Sequence, residues 1–329
     1  MSQGKIDVLG IGNAIVDVLA RTDDSFLAKH ELQKGGMVLI DAEGADRLYS
    51  EMGPAIEASG GSAANTIAGI AALGGKTGFI GRVANDQLGE VFTHGIRSLG
   101  VEYNTQKGND GTPTARSFVL VTPDAERTMN TFLGSSQGLS INDIDEDQVK
   151  RAKITYLEGY LWDPEDAKKA FLKAMEIAKS AGNKVALTLS DSFCVGRYRD
   201  EFIGLVENKV DILFANEDEI KSLYEVEDFE DAVKKVKAQA ELIVLTRGEK
   251  GAVILKGLER FEVAAEKADV QDTTGAGDLY AAGFLYGYSQ GYDMEKCGRI
   301  AAICAAEVIS HVGARPEANL KELVDSKLS

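Results

Sequence analysis

The sequence predicts an α/β fold, a mostly parallel sheet covered by helices, and three observations point to it. Short β-rich apolar runs alternate with amphipathic helical stretches along most of the chain. The helical stretches end repeatedly at glycine, as at Gly74-Gly75, Gly100 and Gly182. Two segments, 16–40 and 114–132, break this rhythm with strand-like patterns and polar interruptions, which marks a smaller β element outside the main layer.

Taken in order, Ile6–Ile11 reads as a buried strand. Residues 63–73 read as a helix stopped by Gly74-Gly75, and 78–83 as the next strand. Residues 86–99 are helical and end at Gly100. Asp163 is expected to cap a helix whose first residue is Pro164 and which runs to Gly182. Residues 185–189 and 212–215 read as core strands, with a helix around 198–207 between them. Residues 229–239 read as helix and Leu242–Thr246 as strand. Ala252–Lys256 and 261–263, joined through Gly257, read as a hairpin. Ala276–Ser289 and 294–309 supply two long closing helices. Within 114–132, Ser117, Val119 and Val121, then Thr128, Asn130 and Phe132, alternate like exposed strands.

With 329 residues the chain has room for one large domain with an accessory piece, or for two domains. Hydrophobic residues make up 44% and charged residues 27%, the balance of a soluble globular protein with a sizeable core. The 36 basic and 52 acidic residues give a formal charge of −16. Nothing offers the basic footprint that nucleic acid or an anionic membrane would need. Cys194, Cys297 and Cys304 lack metal-ligand spacing and fit free thiols in a reducing cytoplasm. The first five residues show no charged-then-apolar leader, and no apolar run approaches the ~18 residues of a membrane span.

The most informative stretch is Asp272-Thr273-Thr274-Gly275-Ala276-Gly277-Asp278, which runs into the helix Ala276–Ser289. Gly275, Ala276 and Gly277 carry almost no side chain, so backbone N–H groups there can close around an anion at a helix N-terminus. Asp278 puts a carboxylate beside that turn. Phosphoryl transfer to a hydroxyl needs both parts, a donor cradle for the moving charge and a group to take the hydroxyl proton. Two other motifs fail. Gly10-Ile11-Gly12-Asn13-Ala14-Ile15 puts a bulky Ile15 at the third glycine position of a dinucleotide fingerprint. The stretch ending Gly74-Gly75-Lys76-Thr77 has Ile70 where a Walker A loop needs its first glycine.

The heptapeptide resembles the second signature of the PfkB (ribokinase-like) family of sugar and nucleoside kinases. Gly60-Gly61-Ser62-Ala63-Ala64-Asn65, followed by Gly74-Gly75, resembles the first, and the likeness runs from about Asp7 to Pro316. It implies a ribokinase-like α/β fold, mostly parallel, in one kinase domain over 1–329. A small β-sheet lid would come from about 16–40 and 108–134. It also implies ATP as cosubstrate and Mg2+ as cofactor. Asp278 would be the general base, Gly275, Ala276 and Gly277 the anion hole, and Arg127 a lid arginine reaching the transferring phosphate. Asn216 and Glu219 match an Asn-x-x-Glu motif after a strand, and would hold Mg2+ and phosphate largely through water. Thr246, Gly248 and the turn residue Gly251 would line the nucleotide.

On the acceptor side, Asn13 and Asp17 bracket the end of the first strand, where a carboxylate can bind paired hydroxyls. Gly61, Ser62 and Asn65 open the next helix, where small residues let backbone approach a sugar. Gly12-Asn13-Ala14-Ile15-Val16-Asp17 and the segment carrying Phe193 are similar to the adenosine kinase branch, in which aromatics at Tyr160 and Phe193 flank a purine. Met37 and Leu39 would add an apolar lid wall. Asp272-Thr273-Thr274 looks more like the ribokinase branch, whose Asp and second Thr neighbour a monovalent cation; on that reading Asp272 and Thr274 border a K+ site. The expected reaction is transfer of the γ-phosphate to the 5′-hydroxyl of adenosine. A sugar such as ribose or fructose is the alternative acceptor. A nucleoside sensor with little turnover is a third reading, against which the intact Asp278, Asn216 and Glu219 argue. The expected partners are small molecules, with the chain a monomer or homodimer.

Overall fold

The alternation builds two sheets, described in the computed structural model for residues 4–124, 126–237 and 239–328. The first apolar run is β1 (Ile6–Ile11), and the chain turns at once into β2 (Ile15–Arg21) of a second sheet. Asp23 then caps a short helix, α1 (Asp24–Lys29), by accepting from the Phe26 amide. β3 (Met37–Leu39), α2 (Ala42–Glu51) and β4 (Ala55–Gly60) follow, and α3 (Ser62–Ala72) and β5 (Thr77–Ile80) return to the main layer. Next come α4 (Gln87–Ser98), β6 (Glu102–Tyr103), β7 (Ala115–Val121) and β8 (Arg127–Phe132).

The rest is regular. α5 (Glu146–Arg151) leads to β9 (Ala152–Glu158), and α6 (Glu165–Ser180) to β10 (Lys184–Thr188). α7 (Ser192–Arg197) and α8 (Arg199–Asn208) precede β11 (Ile212–Asn216); α9 (Glu217–Tyr224) and α10 (Phe229–Val236) precede β12 (Leu242–Thr246). A hairpin of β13 (Ala252–Lys256) and β14 (Glu259–Val263) closes one edge. The chain ends in α11 (Ala276–Ser289), α12 (Met294–Val308) and α13 (Leu320–Leu328).

Among the described residues the main sheet has nine strands in the order β14-β13-β12-β11-β10-β9-β1-β5-β6. It is parallel from β6 to β12, with β13 and β14 antiparallel. Its strands alternate between two cores. Val8, Tyr156 and Phe214 pack with α3, α11 and α12, and Leu9, Leu157 and Leu213 pack with α6 and α8. Each such side chain withdrawn from water stabilises the fold by about 1.5–3 kcal/mol. The consequence for function is positional: the carboxyl ends of β1, β9, β10, β11 and β12 share one edge, where open α/β sheets bind ligands.

The second sheet has the order β3-β8-β7-β2-β4. It draws on both segments that break the sequence rhythm, and also on β4, which lies outside them. Within the first segment the strand-like reading gives way to α1, because Asp23 caps that turn. The strands of 114–132 are not exposed: β7 is buried from Ala115 to Leu120, being the central strand of the sheet with Phe118 in the main core. Asp163 does not cap α6. It sits in helical backbone and pairs with Arg197, and Pro164 takes the cap position. The helix read through 239 ends at Val236, and Ala238 lies outside the described residues, as does Ala125 at the β7–β8 hairpin tip.

The junction of β4 and α3 has one strict requirement. Gly61 caps α3 with φ +99° and ψ 139°, and a Cβ there would lie 2.3 Å from the Asn13 carbonyl oxygen. Its smallness therefore serves the chain's own backbone. Gly61→Ala is expected to lower stability by about 2–3 kcal/mol, read as a lower urea midpoint with an unchanged slope.

Candidate active site

α11 begins at the sheet's ligand edge because Gly275 adopts φ +79°, with Ala314 so close behind it that a Cβ would meet its Cα at 2.9 Å. By helix geometry the amides of Gly277 and Asp278 have no intrahelical acceptor. The Ala276 amide, expected in the anion hole, instead closes the turn onto the Thr273 carbonyl at 3.2 Å. α11 also packs tightly on α3. A Cβ on Gly69 would lie 2.7 Å from Ala282 Cβ and from Leu279 Cδ1. That closeness places Asp278 on the first turn of α3. Ser62 Oγ donates to Asp278 Oδ1 at 2.6 Å, and Asn65 Nδ2 donates to Oδ2 at 3.0 Å. Burial pushes the Asp278 carboxyl up to about 6, while these two hydrogen bonds and the charge of Arg315 hold it down.

Asp17 faces the same place from β2. Cross-strand register aligns Leu39, Thr131, Ser117, Asp17 and Ala58 in one row of the second sheet, with Met37, Met129, Val119, Leu19 and Ile56 in the next. Both rows therefore share one face. Met37, Leu39 and Ile56 on it are exposed by 51%, 58% and 72%. Among the described residues the Asp17 carboxylate accepts no hydrogen bond. Burial raises it to about 6, the Asp278 charge adds to that, and Arg315 and Arg127 oppose it. Glycine at position 60 makes the room, since a Cβ there would lie 2.2 Å from Asp17 Oδ2.

Asn13 is tied to the protein at both ends of its amide. Its Nδ2 donates to Glu158 Oε1 at 2.7 Å, and its Oδ1 accepts from Ser136 Oγ at 2.8 Å and Gln137 Nε2 at 3.3 Å. Glu158, at the end of β9, also accepts from the Ala63 amide at 2.8 Å. Burial raises its carboxyl to about 7 against these hydrogen bonds. The sequence reading passed over Glu158, although it ends an apolar run just before Gly159-Tyr160. It also passed over Arg315, whose Nε donates to Asn65 Oδ1 at 2.8 Å and whose Nη2 lies 3.3 Å from Ser59 Oγ. Burial lowers the Arg315 guanidinium to about 10, with Asp17 and Asp278 opposing. An isolated arginine in a loop carries no periodic signal.

The two aromatics differ. Tyr160 is half-buried, its amide bonded to Ser190 Oγ at 3.2 Å, and its phenol is raised by burial and by the charges of Asp191 and Asp278. Phe193 is 80% exposed at the start of α7, so it is no core residue. Thr246 and Asn216 are register partners at the ends of β12 and β11. Gly248 opens a 3-10 turn that Gly251 closes by donating to its carbonyl at 3.0 Å.

The implied metals meet different surroundings. Asn216 and Glu219 form a reciprocal cap on α9, with Asn216 Nδ2 donating to Glu219 Oε1 at 2.6 Å and the Asn216 amide to Oε2 at 2.9 Å. Burial raises Glu219 to about 7. Each carboxylate oxygen keeps a second lone pair, which fits Mg2+ held through water rather than directly. No cluster of three metal-ligating side chains exists among the described residues. A cation at Asp272 does not fit. Asp272 Oδ1 accepts from the Thr274 amide at 3.0 Å and Thr274 Oγ1 at 2.8 Å, and Oδ2 accepts from the Gly313 amide at 3.0 Å and pairs with Arg127 Nη1 at 2.7 Å. Four donors fill the carboxylate. Arg127 Nη2 is out of water and has no partner among the described residues.

The chain belongs to the pfkB family: residues 43–320 match the family described as pfkB family carbohydrate kinase. It is a kinase of that family. A probable sugar kinase from Rhizobium etli CFN 42 superposes with a TM-score of 0.92 at 52% identity, over 99% of each chain. The adenosine kinase from Sinorhizobium meliloti superposes with a TM-score of 0.91 at 51% identity, over 98% of this chain and all of its own. The 5-dehydro-2-deoxygluconokinase of Geobacillus kaustophilus is 30% identical over 263 residues, 76% of this chain and 78% of that protein. No helix among the described residues is long and apolar enough to cross a membrane.

Two outcomes follow from the electrostatics. With Asp272 saturated, replacing K+ by choline in the assay is expected to leave kcat unchanged; strict K+ dependence would contradict the filled carboxylate. Folded Glu158 keeps its proton up to about pH 7, whereas the unfolded chain releases it near 4.5. It therefore favours the fold at low pH, and that contribution is lost as pH rises through 7. Thermal unfolding should show stability falling from pH 6 to pH 8, by about 1 kcal/mol from this group. Glu158→Gln should remove that share of the slope.

Proposed function

We propose that the kinase transfers the γ-phosphate of ATP to the 5′-hydroxyl of adenosine, with Asp278 as general base. The observation that carries the base assignment is the Asp278 carboxylate at the N-terminus of α11, oriented by Ser62 and Asn65. Its upward shift to about 6 suits a group that must be ionised near neutral pH yet take a proton during transfer. Asp17, with both oxygens open, binds the ribose hydroxyls and sets the 5′-oxygen toward Asp278. The first-turn amides of α11 receive charge from the moving phosphoryl group. Arg127, held by Asp272 through Nη1, offers its unpartnered Nη2 to that group. Mg2+, held by ATP and through water by Glu219 and Asn216, would offset phosphate charge.

For the acceptor, the exposed Phe193 and the sheet face that carries Met37, Leu39 and Ile56 support a flat, weakly polar body more than a bare sugar, which would call for more hydroxyl partners. The likeness to the Sinorhizobium meliloti adenosine kinase supports the same reading. A sugar or sugar acid is the second reading, favoured by the Geobacillus kaustophilus relative. With adenosine as acceptor the product is AMP, which fits a salvage role in the cytoplasm.

ATP consumption measured with adenosine, inosine, ribose, fructose and no acceptor separates the two. Adenosine should give the highest kcat/KM. Turnover of a sugar with adenosine inert would overturn the acceptor and leave the kinase. Asp278→Asn should stay folded and lose about 10²–10⁴-fold in kcat; near-normal turnover would remove the base assignment.

A further inference from the structure

We propose that Arg315 is a positioning residue for the base, fixing the Asn65 side-chain amide so that its NH2 end, and not its oxygen, faces Asp278. This rests on Asp278 being the proton acceptor. An asparagine amide is nearly symmetric in shape, and its two ends are opposite in hydrogen-bonding sense. Flipped, Asn65 would press its oxygen against Asp278 Oδ2, lone pair against lone pair. Asp278 accepts at 3.0 Å from Asn65 Nδ2, but a carboxylate alone is a weak judge, since water could replace that donor. A guanidinium has donors only. Arg315 Nε, 2.8 Å from Asn65 Oδ1, can therefore accept just one orientation, and that orientation sends NH2 to the base.

Arg315 is anchored through Nε and Nη2, while its Nη1 is out of water with no partner among the described residues. Its Nη2 reaches Ser59 Oγ on β4. Its loop is tied down on both sides, by the Gly313 amide to Asp272 Oδ2 at 3.0 Å and by the Glu317 and Ala318 amides to Glu307 Oε1 at 2.9 and 2.8 Å. Ala314, the residue before it, backs Gly275 of the anion turn. One short strap thus sets both the turn and the amide. The charged and titratable groups near Asp278 are Asp17 from β2, Tyr156 and Glu158 from β9, and Tyr160 just after it. Arg315 is the cation that acts on Asp278 among the described residues, and Arg127 faces Asp17 and Asp272 instead.

The test compares pH profiles of kcat/KM for wild type, Arg315→Met, Arg315→Lys and Asp278→Asn, with thermal unfolding recorded for each. Arg315→Met should move the acid limb upward by about one pH unit, so that its deficit is larger at pH 6.5 than at pH 8.5. Arg315→Lys keeps a charged group with donors only, which can still face Asn65 Oδ1, so its acid limb should stay near wild type and its kcat within about 10-fold of it. A folded Met variant with an unmoved acid limb overturns the proposal. So does a folded Lys variant whose acid limb moves like that expected for Met, or whose kcat falls more than about 10-fold at every pH, and that arm decides alone where the Met variant does not fold. Full turnover by Asp278→Asn overturns the base assignment itself, a different result from either.

Discussion

The site depends on how closely two helix N-termini approach. α3 and α11 touch where Gly69 faces Ala282 and Leu279, with no space for a further carbon. Because both helices start at the sheet's ligand edge, that contact brings residues more than 200 positions apart into hydrogen-bonding range. Thr66 Oγ1 adds a bond to the Asp278 carbonyl at 3.1 Å, so backbone and side chain of Asp278 are both referenced to α3. A base located to a fraction of an ångström is the usual condition for productive proton transfer.

Charge is the second constraint. Asp17, Glu158 and Asp278 crowd one end of the crevice, and burial raises all three. Two arginines counter the aspartates from different elements: Arg315, from the strap after α12, acts on both, and Arg127, from β8, acts on Asp17. The protein divides the labour: Glu158 and Asn13 hold the framework together, whereas Asp17 keeps its oxygens free. A carboxylate that accepts three internal hydrogen bonds is architecture, and one that accepts none keeps its lone pairs open.

Much of this was legible in the residues. The main sheet, the glycine-stopped helices and the α11 signature follow from periodicity and from the small residues at 275–277, because both express local backbone preference. Other parts were not. β4 reads Ala-Ile-Glu-Ala-Ser-Gly, with Ile56 its one β-branched residue; tertiary pairing with β2 makes it a strand. The short α1 hid in a strand-like stretch because a single cap at Asp23 decides it. Asn13 and Asn65 look alike in sequence, yet Glu158 claims one and Arg315 the other. Those partners are long-range, and no spacing rule announces them. Arg127 was singled out as a lid cation, but its tie to Asp272 joins the start of β8 to the turn before α11, a meeting no local pattern announces.

The apolar strip on the second sheet has a thermodynamic corollary. In the free protein Met37, Leu39 and Ile56 are wetted, and the water against them is structured at some expense. Whatever molecule settles over the strip will release that water, so its association will carry a negative heat-capacity change, more negative than for a ligand that touches only the carboxylates below.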